Sequence, residues 1–131
     1  MAIQAVLTGD IVNSTRLSSS KTGRLTRQIT ALFSKHKMEF YRGDSFQAYV
    51  KSPAEALRLA LLCRTSAINI SKDGKIISDV RISIGIGNIT GPVRTLKTAQ
   101  GEAFVLSGRK LDELLKTEQR LAISCSDALA N

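Results

Sequence analysis

The chain has 131 residues, a formal net charge of +8 and 43% hydrophobic residues. That length supports one domain whose core needs no disulfides, and no apolar run reaches the length of a membrane span. Cys63 and Cys125 are isolated and read as buried thiols, while a lone histidine, His36, argues against a His- or Cys-based zinc site.

The start, Met1-Ala2-Ile3-Gln4, has no basic stretch and no signal-type apolar segment, which predicts a cytoplasmic protein. Residues 3–8 read as strand one, with the apolar run Ala5-Val6-Leu7 closed by Asp10. Asn13, Ser14 and Thr15 follow, ahead of a predicted helix. Small polar residues in that place offer backbone N–H groups to a phosphate, and they are equally ordinary capping residues. Leu25, Ile29, Leu32 and Phe33 have helical spacing, predicting an amphipathic helix over 20–36. Lys21, Arg24, Arg27, Lys35 and Lys37 then read as its solvated basic face. Phe40 and its neighbours form strand two. Phe46, Ala48 and Val50 alternate with Gln47 and Tyr49 in strand three, which makes Asp44 the tip of a hairpin. Gly43-Asp44 is also a common turn signal in its own right.

Ser52-Pro53-Ala54-Glu55 is a strong helix start, and the helix runs to about Ile70. Asp73-Gly74 marks a turn. Val80, Ile82, Ile84 and Ile86 alternate with Arg81, Ser83, Gly85 and Gly87, a clear strand pattern. Gly91-Pro92 breaks the chain. Leu111, Leu114 and Leu115 predict a helix over 103–116, and Leu121 and Ile123 a last strand. The order βαββαβ, with an added C-terminal helix and strand, predicts one α+β domain over 1–131. It would be a ferredoxin-like sandwich with helices on one face of a mostly antiparallel sheet. The glycines fit neither Gly-x-Gly-x-x-Gly nor a Walker loop, which disfavours those nucleotide folds. If strand one and the hairpin are neighbours, Asp10 and Asp44 emerge at one sheet edge. Two close carboxylates repel unless a cation lies between them, and paired oxygens suit Mg²⁺ or Mn²⁺.

Four blocks, Thr8–Thr15, Arg42–Phe46, Val80–Gly87 and Gly101–Arg109, resemble in order the conserved segments of the class III adenylate/guanylate cyclase catalytic domains. The similarity is nearer still to small bacterial SatD-type proteins related to them. The resemblance implies that Asp10, the Ile11 carbonyl and Asp44 hold Mg²⁺ or Mn²⁺, and that Arg109 stabilises charge in the transition state. It puts the amides of Ser14 and Thr15 on phosphates, Thr98 at a base-contacting position, and the site across a two-fold homodimer. It also marks departures. Phe40 stands where the family selects the base with Lys or Glu, and Val105 where it orients the ribose with Asn.

The expectation is a nucleotide-cyclase-like domain that binds a metal–nucleoside triphosphate or another phosphate-bearing small molecule, with a regulatory role or degenerate cyclase activity. The alternatives are an active cyclase or related phosphotransfer enzyme, and a basic protein that binds nucleic acid. Diguanylate cyclases are a neighbouring rival, since Arg42-Gly43-Asp44-Ser45-Phe46 partly matches their Gly-Gly-Asp-Glu-Phe hairpin. The +8 charge suits any anionic partner. No Trp occurs and the aromatics do not interleave with basic residues, so a base-stacking platform is not supported.

Overall fold

A computed structural model describes residues 3–126. The elements are β1 (Ile3–Val12), a 3-10 turn (Ser14–Arg16), α1 (Ser19–Leu32), β2 (Lys37–Tyr41), β3 (Ser45–Val50), α2 (Pro53–Ser71), β4 (Asp79–Thr90), β5 (Gln100–Gly101), α3 (Glu102–Leu114) and β6 (Leu121–Cys125). The sheet order is β2-β3-β1-β4-β5, and β6 pairs with β4 in parallel. The four core strands pair antiparallel throughout, which is the ferredoxin-like arrangement.

Period-two alternation builds the core. Ala5, Leu7 and Ile11 of β1, Phe46, Ala48 and Val50 of β3, and Val80, Ile82 and Ile84 of β4 pack with Leu25 and Ile29 of α1 and Leu59, Ala60 and Cys63 of α2. Ser18 and Ser52 cap the two helices by accepting from the amides of Lys21 and Glu55.

Four expectations need correction, the last being that the helices share one face. β1 extends past residue 8 to Val12, because it is paired on both flanks: Asp10 lies opposite Ser45 of β3 and Arg81 of β4, and Val12 opposite Asp79. α1 stops at Leu32 rather than 36. Phe33 is the last residue able to fill the core, and the chain turns there, with the His36 amide on the Phe33 carbonyl at 2.9 Å. Lys35 and Lys37 therefore leave the helix face. Cys125 is exposed on β6, and only Cys63 is buried.

The helices also divide between the faces. α1 and α2 share the core side, whereas α3 lies on the other, where Gly85 lets it approach β4. A Cβ at Gly85 would run into the Ala103 carbonyl and come within 2.6 Å of the Ser107 amide. The Ser107 hydroxyl sits 2.7 Å from Thr8 Oγ1 and 3.1 Å from the Ser83 carbonyl oxygen, tying the helix to both central strands.

Gly85→Ala is expected to lower stability by roughly 1–3 kcal/mol, the usual range for overpacking. Gly108→Ala, whose added Cβ meets nothing within 4 Å, should leave stability unchanged or raise it by about 0.5–1 kcal/mol. Urea unfolding of the two variants checks both.

Candidate functional site

Directly opposed residues of antiparallel strands share a face, so the face away from α1 and α2 carries side chains in rows. Tyr41, Ser45, Asp10 and Arg81 form one row. Glu39, Gln47, Thr8 and Ser83 form the next, and Lys37, Tyr49, Val6 and Gly85 the third. α3 covers the β1–β4 half at Thr8 and Ser83. The β2–β3 half presents the exposed Tyr41, Glu39 and Lys37.

Asp10 is the most constrained of these groups. Its Oδ2 lies 3.4 Å from Arg81 Nη1, and both side chains are largely buried. Its Oδ1 and the Arg81 Nε are buried with no hydrogen-bond partner among the described residues. Burial raises the Asp10 pKa above the ordinary carboxylate value; the Arg81 charge opposes the rise, and the Asp44 charge adds to it.

Asp44 sits in the hairpin turn, after Arg42 and Gly43 in left-handed conformation with φ of 57° and 82°. Its carbonyl accepts the Ile11 N–H at 2.8 Å, and its carboxylate accepts the Ser14 hydroxyl at 2.8 Å. Asp10, Ile11, Ser14 and Asp44 thus meet at one end of the sheet. The segment after Asp10 does not run straight into α1. Asn13 turns the chain with φ 62°, a conformation Asn tolerates, and its amide donates to the Ile77 carbonyl at 3.0 Å. Ser14 and Thr15 begin the 3-10 turn. The Arg16 N–H is the first to bond back, to Asn13 O at 3.0 Å, so the Ser14 and Thr15 amides have no acceptor within the turn.

Two predicted residues lie apart from this group within one chain. Thr98 is in the 91–99 segment, beyond the Thr90 end of β4, while Asp10 and Arg81 are near the Asp79 end. Its hydroxyl is 2.6 Å from that of Thr95. Arg109 is exposed on α3 and makes no hydrogen bond or ion pair among the described residues. It shares a flank with Val105 and Asp112, at i, i+4 and i+7.

Sequence reasoning missed three members of the face. Arg81 is charged yet sits between buried Val80 and Ile82, a position that requires a partner. Tyr41 stands in the row of Asp10. Burial raises the pKa of its hydroxyl most, Arg42 opposes, and the charges of Asp10 and Asp112 add to the rise. Glu39 is the third. Phe40 points to the core, its ring centroid 5.4 Å from that of Phe46, so the side chain on the polar face at this level of β2 is that of Glu39.

The donor chemistry fits a hard cation. Asp10 Oδ1, the Asp44 carboxylate and backbone carbonyls are all oxygens. Among the described residues no three His, Cys, Asp or Glu side chains cluster. Two carboxylates suit Mg²⁺, which takes few protein ligands and completes its shell with water and ligand phosphates.

This fold is that of nucleotide-cyclase catalytic domains. A bacterial light-regulated adenylyl cyclase is similar over 94% of this chain and 76% of its own, at 15% identity and TM-score 0.66. The dimeric guanylyl cyclase domain of the RhoGC fusion protein from the aquatic fungus Blastocladiella emersonii is similar over 86% and 74%, at 18% identity and TM-score 0.61; a monomeric form of that domain is also similar. The active GGEEF domain of a diguanylate cyclase from Vibrio cholerae is similar over 93% and 83%, at 12% identity and TM-score 0.61. At these identities the likeness is one of fold. No family model matches the sequence and no curated protein matches it. Among the described residues no helix is long and apolar enough to cross a membrane.

Carboxyl NMR titration is expected to give Asp10 a pKa above the ordinary value. Arg81→Gln should push it higher by removing the opposing charge, and Asp44→Asn should bring it down. Because the folded-state value exceeds the unfolded one, ionised Asp10 lowers stability at neutral pH. That cost is fully present above the raised value and fades as pH falls through it towards the unfolded value.

Proposed function

We propose that the chain is a nucleotide-cyclase-like domain that binds a metal–nucleoside triphosphate and acts in regulation, with degenerate cyclase activity at most. The observation that carries this reading is the buried, unpartnered Oδ1 of Asp10 beside Asp44. A buried carboxylate oxygen without a partner costs about 1–3 kcal/mol, a cost that a bound cation would relieve. Asp10, Asp44 and the Ile11 carbonyl would hold Mg²⁺ or Mn²⁺, which when bound neutralises phosphate charge. Ser14 and Thr15 would offer amides to the phosphates, and Thr98 a hydroxyl to the base.

Arg109 stands exposed on α3, which supports a two-fold homodimer in which each Arg109 completes the neighbour's site. Val105 offers no hydrogen bond to a ribose and Phe40 none to a base. The attacking hydroxyl then lacks the positioning that carries much of the rate in phosphoryl transfer. A cytoplasmic setting belongs to the same reading, as does closeness to SatD-type proteins, which rests on the four sequence blocks. The second reading, an active cyclase, is favoured by Glu39, a carboxylate on the polar face next to Phe40 that could accept from a purine edge.

Calorimetry with ATP and GTP in Mn²⁺ is expected to show weak binding with little base discrimination, abolished by Asp10→Ala. Mass spectrometry should find little or no cyclic product; abundant cyclic AMP or cyclic GMP from the wild-type chain would establish the second reading instead. Val105→Asn should raise any cyclase rate more than affinity, since it would act on the attacking hydroxyl. Sedimentation at tens of micromolar should show a dimer, and a monomer would remove the shared site.

A further inference from the structure

The other end of the polar face is basic. Where α1 turns into β2 and β3 runs out into α2, a cavity of about 540 Å³ is lined by Lys35, His36, Lys37, Tyr49, Lys51 and Ser52, among others. Two more cavities share part of its lining. One of about 350 Å³ shares Lys37, Tyr49 and Lys51 and reaches Gly91 and Pro92; the other, of about 290 Å³, shares His36 and Lys37 and reaches Glu39 and Arg94. Lys37 and Tyr49 are cross-strand partners. Lys37 is four residues along β2 from Tyr41, or about 13 Å at the usual strand rise, so this end is separate from Asp10 and Asp44.

No acidic side chain lines the 540 Å³ cavity. Glu39 lines the adjoining cavity, and Glu55 stands in the first turn of α2, just after Ser52. Glu55 is already held by Arg58, whose Nη2 and Nε donate to its two oxygens at 2.7 and 3.0 Å. The 540 Å³ cavity thus carries Lys35, Lys37 and Lys51 in its lining and no carboxylate, and the one carboxylate of the adjoining cavity, Glu39, shares it with Arg94. The geometry is partly fixed. Lys37 Nζ donates to the Arg94 carbonyl at 2.9 Å, and His36 is set edge-on against the buried Phe33, with ring centroids 6.5 Å apart.

We propose that this cavity is a second ligand site, which binds a phosphate-bearing small molecule of nucleotide size without a metal ion. Its volume lies in the range of small-molecule sites, about 300–1,000 Å³. Lysines supply the positive charge that phosphate oxygens need, the Ser52 hydroxyl adds a donor, and the Tyr49 ring gives an apolar wall for the rest of the molecule. The site requires neither Asp10 nor a divalent cation, so it stands whether or not the metal site does.

An NMR amide titration with ATP and with inorganic pyrophosphate, both in EDTA, tests it. Shifts should concentrate at residues 34–37 and 49–52. Lys51→Glu and Lys35→Gln, both at exposed positions, should each weaken binding by about tenfold, the scale of one charge-assisted contact. Asp10→Ala, and Lys116→Glu on an exposed residue after α3, should leave it unchanged. No binding in EDTA, shifts centred on residues 10–15 and 44, or an equal loss in Lys116→Glu would overturn the proposal. So would a short single-stranded oligonucleotide that binds far more tightly than ATP, which would mark an extended nucleic-acid surface instead.

Discussion

Everything on the polar face follows from the register of β1. This strand is paired along both flanks, and side chains alternate with period two, so a slip of one residue would drive Asp10 into the core and expose Leu7 and Ile11. Gly9 locks that register. A Cβ there would fall 2.7 Å from Phe46 Cζ and 3.0 Å from the Arg81 carbonyl oxygen. The Phe46 ring can therefore lie over β1 only at a residue without a side chain. With Gly9 placed beneath Phe46, the next side chain, Asp10, must emerge on the opposite face, between Ser45 and Arg81.

Among the described residues, arginines contact two aspartates, Asp79 and Asp10, and the two clusters serve different ends. Arg64 grips Asp79 with two bonds of 3.0 Å, and Arg120 approaches the same carboxylate at 3.8 Å. That pair is well satisfied and pins α2 to the start of β4. The Asp10–Arg81 contact is a single long one of 3.4 Å, which leaves a polar atom unpartnered on each side. A folded chain retains such a deficit where the surrounding packing enforces it. Here the enforcement comes from Phe46 and Gly9 on one face and from α3 on the other.

Charge is also sorted along the sheet. The aspartates gather where β1 ends and the hairpin turns, and the lysines gather where β2 begins and β3 ends. The net charge of +8 is thus not spread evenly over this face. Adenylyl, guanylyl and diguanylate cyclase domains all share the fold. Those proteins carry different activities on one backbone arrangement, so the fold by itself does not assign one of them to this chain.

Much of this was legible in the sequence because it is local. Alternation at 46–50 and 80–87, the Ser52-Pro53-Ala54-Glu55 helix start and the helical spacing of Leu25, Ile29 and Leu32 fixed the element order and the ferredoxin-like class. Asp10 and Asp44 could be paired because one follows the apolar run of β1 and the other sits in the turn just before its neighbour β3. What periodicity could not express was decided by contacts between distant residues. The close approach of Ala103 and Ser107 at Gly85 put α3 on the far face. Packing against Phe46 turned Phe40 to the core and left Glu39 on the site side. Pairing across 71 positions made Arg81 the partner of Asp10, and the length of β4 carried Thr98 away from both. Local sequence sets which way a side chain alternates; only the assembled sheet sets what it meets.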